Sequence, residues 1–219
     1  MKITEIYEKY KIPPNLQLHQ LRVAGVAKII CDNFKKELDE NSIVTACLLH
    51  DMGNIIKFNF DIFDDGFYAP EGRDYWKNVQ REFREKHGDD EHIATEKIFS
   101  ELSVSHDVLE IINNIGFPYS DENYKNNDYS RKICSYSDMR VAPNNVILLQ
   151  KRLADLRIRY SKNNNPDFTK ENFNHYKSYW EKIQDQIFKH CKIKPSDITD
   201  ENVNPLVEDL KDFKIILSG

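Results

Sequence analysis

The chain has 219 residues, enough for a sizeable hydrophobic core, and its length predicts one domain over 1–219. Its 31 basic and 36 acidic side chains give a net charge of −5, which excludes a broad nucleic-acid surface and leaves any anionic ligand to be met by a local cluster. The N-terminal MKITEIYEKYKIPP has no apolar core of secretory type and no run approaches the roughly 18 apolar residues of a membrane span, so a cytoplasmic protein with no membrane partner is expected.

With only seven glycines, little strand-type alternation and long stretches of 3.6-residue periodicity, the fold class is all-α. A short helix over roughly 2–10 leads through Pro13-Pro14 to a long one, capped by Asn15, whose stripe is Leu16, His19, Val23, Val26, Ala27, Ile30 and Phe34. His19 therefore faces inward. After the charged connection 35–40, a helix capped by Asn41 or Ser42 and stopped by Gly53 puts Ile43, Ala46, Cys47 and His50 on one face. The aromatic and acidic run 58–72 has no sustained period, and a lid or a packed surface loop fits it equally. Helices are predicted over 73–86, with a basic solvated face of Lys77, Arg81, Arg84 and Lys86, then over 91–102 and 105–115.

Residues 117–127 read as a loop, and a helix over 130–141 turns Cys134, Asp138 and Val141 to one side. A further helix over 145–160 is broken by Asn163-Asn164-Asn165-Pro166. Next comes a long aromatic-striped helix through Phe173, Trp180 and Cys191, and a last one starts at Asn204-Pro205. Cys31, Cys47, Cys134 and Cys191 have no CxxC spacing and read as reduced thiols, three of them in apolar stripes.

The inward candidates are thus His19, the adjacent His50-Asp51, and Asp138. A buried imidazole needs partners for both ring nitrogens, and a buried carboxylate costs several kcal/mol unless paired or bound to a cation. Two imidazoles and two carboxylates make a nitrogen and oxygen site suited to magnesium or a divalent transition ion, with room for water. Leu-Leu-His-Asp-Met-Gly at 48–53 and Tyr-Ser-Asp-Met-Arg-Val at 136–141, set in the order H…HD…D, resemble the HD superfamily of metal-dependent phosphohydrolases.

The resemblance covers about 14–160, with 161–219 as additional C-terminal helices, and implies an HD-domain helical bundle. It implies one divalent ion (Mn, Mg, Co, Ni, Fe or Zn) held by His19, His50, Asp51 and Asp138. A metal-activated water, oriented by Asp51, would then attack a nucleotide or other small phosphate ester, monoester or diester. Arg22, Lys57 and Arg140 are the candidates for gripping phosphate, with Arg152, Arg157 and Arg159 weaker ones, and His92 is a candidate for proton transfer. His106, His175 and His190 read as structural or surface residues.

Asn54 stands where many members have Lys or His and others a catalytic Glu, which keeps a nucleotide-binding sensor without turnover as the alternative. Binuclear relatives add two histidines. His87 or His92 could supply the first, but Asn113-Asn114 occupies the place of the second, so one metal is expected and a di-iron oxygenase is disfavoured. A homo-oligomer is left open.

Overall fold

The computed structural model describes residues 1–61, 68, 70–160 and 165–217. Among these there are eleven α-helices and no sheet, only isolated bridges such as Lys2 with Lys214 and Phe34 with Cys191. The all-α reading holds. None of these helices is long and apolar enough to cross a membrane.

The helix α1 (Ile3–Lys9) leads through Pro13 into α2 (Pro14–Asp32), which starts on the proline itself, because a first-turn proline has its φ preset and lacks an N–H that would be unpaired there. Around α2 pack α3 (Glu40–Leu49), α8 (Tyr129–Asp138) and α11 (Asp200–Leu210). Gly25 lets α11 come close, since a Cβ there would sit 3.0 Å from Cγ1 of Val203. The predicted cap of α3 shifts by two residues: Asp39, not Asn41 or Ser42, accepts from the backbone and the hydroxyl of Ser42. From Ile43 to Leu49 every residue of α3 is buried, because α2, α6 (His106–Ile112) and α8 cover it from several sides.

Between α3 and α6 lie α4 (Arg73–His87) and α5 (Glu91–Leu102). Arg84 is exposed, as expected of the basic face, and also donates to the carbonyl of Ile56, while Gln80 donates to those of Ile55, Ile56 and Phe58. These bonds tie the 3₁₀ turn Asn54–Lys57 to α4. Residues 62–67 and 69 of the aromatic and acidic run, and Asn163 and Asn164 of the later break, lie outside the described residues.

Several predicted boundaries change: α6 ends at Ile112, α8 at Asp138 and the helix expected from residue 145 starts at Leu149, and two changes are larger. The segment expected to be a loop after residue 116 holds a 3₁₀ turn (Phe117–Tyr119) and the helix α7 (Ser120–Lys125), which packs on α10 (Lys170–Phe188). Pro205 does not start the last helix but sits inside α11, which begins at Asp200 after Thr199, whose backbone N–H donates to Asn202. An interior proline costs roughly 3 kcal/mol in an isolated helix. Here Val203, Val207 and Leu210 are buried, and α11 lies along α2.

Arg140 requires the largest correction. Its guanidinium is fully buried and donates to the Ile147 carbonyl, to the Tyr136 hydroxyl at 2.9 Å and to the Ile198 carbonyl at 3.0 Å. It thereby fastens the end of α8 to the approach to α9 (Leu149–Tyr160) and to the segment before α11. With every arm of the guanidinium committed, the phosphate contact expected of it gives way to a structural role. Arg140→Met leaves three acceptors without a donor and should cost about 3 kcal/mol, or roughly 6–12 °C in Tm. Thermal melting checks this, and an unchanged Tm would reject the role.

Candidate metal centre

Three helices deliver the cluster. His19 lies on the second turn of α2, His50 follows the last residue of α3, and Asp138 ends α8. Asp51 leaves the turn after α3, with its backbone N–H bonded to Oε1 of the buried Gln20 at 3.2 Å. Nε2 of His19 lies 3.1 Å from Oδ1 of Asp138 and 3.6 Å from Oδ2 of Asp51. Nε2 of His50 lies 3.6 Å from Oδ2 of Asp51 and 3.7 Å from Oδ1 of Asp138. Bonds of about 2.1 Å to one cation put neighbouring donors roughly 3 Å apart or somewhat more, so these separations suit a shared ion.

His50 supplies the test of fit. Its Nδ1 donates to the Cys47 carbonyl at 2.8 Å, and its Nε2 is enclosed with no hydrogen-bond partner. A ring fixed through one nitrogen, with the other pointing at two carboxylates, is in the tautomer and orientation that metal-binding histidines use. Among the described residues, His19, His50 and Asp51 form a group whose ligand atoms all lie within 4.8 Å of one another, and Asp138 closes it.

The electrostatics are those of packed opposite charges. Burial works against a charged His50, but the Asp51 and Asp138 carboxylates prevail and hold its pKa up to about 10. Burial likewise raises Asp138, and the imidazoles of His19 and His50 overcome it, keeping the carboxyl well below its ordinary range.

Gly53 positions the next layer. A Cβ there would lie 2.1 Å from the Glu91 carbonyl and 2.8 Å from the Thr95 hydroxyl, which accepts from the Gly53 N–H at 3.0 Å. The need is therefore close approach of α5, because the backbone φ of −87° suits any residue. This contact brings Glu91 and His92, the first two residues of α5, to a cavity of about 840 Å³ over the cluster. Lys57 also lines it, with Nζ 2.9 Å from Oε1 of Glu91, and His92 lies 3.5 Å from the same oxygen. Burial alone would raise the Glu91 carboxyl, but the Lys57 ammonium lowers it overall. Sequence reading overlooked Glu91, for which the only signal was its place beside His92.

Not every expected residue arrives. Arg22 is half-buried with its Nε enclosed and unpartnered, and it does not line the cavity, whereas Arg152 and Arg159 do. The guanidiniums sit on the next helix rather than beside His19. His87 is buried against Phe83 and Tyr10, away from the cavity, so it does not reach the cluster as a second-metal ligand. Asn113 lines the cavity where a second histidine was sought.

Residues 17–151 match the HD domain family, a span that takes in all four clustered side chains. The chain belongs to the HD domain family. No curated protein and no solved structure matches it. HD domains are all-α and in general metal-dependent hydrolases, which agrees with the helical architecture and with a cluster able to hold a metal ion. The HD match ends on α9, so the cavity wall from Arg152 onward lies beyond it.

Two outcomes are expected of this HD domain. Because Asp51 and Asp138 favour the protonated form of His50 when no cation is bound, a cation that takes its Nε2 lone pair must displace that proton. Affinity for Mn²⁺ or Zn²⁺ should therefore rise with pH, about tenfold per unit for each proton released. Calorimetry at pH 7.5 in buffers of different ionisation enthalpy reads the release directly, and equal heats would refute it. Gly53→Ala should push α5 off the turn, lowering Tm and weakening cation affinity together, whereas Gly25→Ala should lower Tm alone.

Proposed function

We propose that the protein hydrolyses a small phosphate ester, a nucleotide by preference, with one divalent cation held by His19, His50, Asp51 and Asp138. The observation that carries this reading is the enclosed Nε2 of His50, fixed by its bond to Cys47 and aimed at two carboxylates. A cation bound there supplies polarisation of a phosphoryl oxygen and a water of lowered pKa. In the net reaction the water oxygen joins phosphorus, the bond to the ester oxygen breaks, and the departing alcohol takes a proton.

The chain's own side chains divide that work. Asp51 uses its second oxygen to orient the attacking water. Lys57 keeps Glu91 ionised at the cavity edge, where the carboxylate accepts a hydrogen bond from water or substrate. His92, exposed beside Glu91 at the cavity, hands a proton to the leaving oxygen in this scheme. Asn54 lines the cavity and cannot serve as a base, so the carboxylate on α5 takes the place of one on the turn after Gly53. The positive end of Lys57 meets the phosphoryl group.

Release of phosphate from nucleoside monophosphates and p-nitrophenyl esters, assayed with Mn²⁺, Co²⁺, Ni²⁺ or Mg²⁺, tests this. Asp51→Ala should abolish turnover and cation binding with helicity retained by circular dichroism. His92→Gln should lower kcat by about 10²-fold with KM little changed. No metal-dependent release from any ester, together with tight nucleotide binding, would instead support the sensor reading.

A further inference from the structure

The cavity is far larger than the cluster needs. At about 840 Å³ it lies in the range of roughly 300–1,000 Å³ that encloses a whole small-molecule ligand, and a cation with one phosphoryl group fills only a minor part. Part of the remainder faces a wall made by α9, the 3₁₀ turn Pro166–Phe168 and, from within the HD match, Phe117.

That wall combines stacked rings with partly satisfied guanidiniums. Tyr160 stacks on Phe168 with centroids 4.4 Å apart and planes 22° from parallel, and Phe168 stacks on Phe117 at 5.0 Å and 15°. Phe168 is the one ring neighbour of Tyr160 among the described residues, and all three rings line the cavity. Arg152 donates through one terminal nitrogen to Asp155 at 3.0 Å, its Nε is enclosed with no partner, and Arg159 donates to the same carboxylate oxygen. Asp167 also lines this wall.

Charge then separates two kinds of occupant. Asp155 pairs with both Arg152 and Arg159, and Asp167 lines the same wall, so the two guanidinium charges are offset in part. A second phosphate would meet a weakened attraction. A neutral planar ring with hydrogen-bond acceptors on its edge matches both features, since rings stack on aromatic side chains and guanidiniums donate to paired acceptors.

We infer that Tyr160, Phe168 and Arg152 form a subsite for a heteroaromatic ring on the substrate's leaving group, so that selection rests on the segment after the HD match. The inference deepens the phosphohydrolase reading by naming the leaving-group class. The subsite can be tested apart from hydrolysis with a ligand that carries no phosphate.

The test is equilibrium titration of the full chain in chelator with inosine, a purine nucleoside presenting ring acceptors, and of the Mn²⁺-loaded chain with ribose 5-phosphate, which has no ring. Arg152→Met and Tyr160→Leu should each weaken inosine by about tenfold and leave ribose 5-phosphate within about twofold. Arg152→Lys should recover inosine binding in part. Thermal melts confirm that each variant is folded, and Arg152→Met serves if the ring variant is not. The inference falls if inosine does not bind the parent chain, if the variants bind it equally well, or if both ligands weaken together. Failure of the hydrolase reading looks different: inosine discriminates as expected while no ester releases phosphate.

Discussion

Two imidazoles and two carboxylates converge at the floor of one cavity in this protein, His50 buried and the other three partly so. An unpaired buried carboxylate costs several kcal/mol, and so does a buried imidazolium. The cluster resolves this by mutual compensation, visible in the high pKa of His50 and the low one of Asp138. A divalent cation would meet the same donors in place of protons. The packing of α2, α3 and α8 follows from this constraint, because each must end or turn where its ligand side chain reaches the common point.

Around that point the backbone is held by contacts with no chemistry of their own. Gln20 bonds the N–H of Asp51, the Cys47 carbonyl fixes the His50 ring, and Gln80 and Arg84 hold the carbonyls of the turn that carries Lys57. Gly53 lets α5 touch the turn and so places Glu91 and His92 over the cluster. Catalytic geometry depends on such supports, since a small misplacement of a positioned group costs rate steeply.

The cavity joins two regions of different origin in the chain. Its floor lies within the HD match, whereas much of its far wall, around Phe117, is contributed by α9 and the turn Pro166–Phe168 after residue 151. In the proposed reaction the floor handles phosphorus and the far wall handles whatever the phosphorus is attached to. A family-wide chemistry and a selectivity particular to this chain are thus compatible in one pocket.

The sequence by itself determined the helical class, the inward-facing His19, the His50-Asp51 pair and the HD resemblance, because 3.6-residue periodicity and adjacent ligand residues are local signals. It also placed α5 from Glu91 to Leu102 in full. Only the tertiary structure decided that Arg140 is a staple and Arg22 lies off the cavity, while Arg152 and Arg159 line it. A helical stripe says which residues leave the solvent, but not which distant carbonyl or cavity they meet. For the same reason Glu91 stayed hidden, since its position depends on a glycine 38 residues earlier in the chain admitting the start of α5. Pro205 inside α11 is a last instance, in which burial against α2 overrides a local preference to begin a helix at proline.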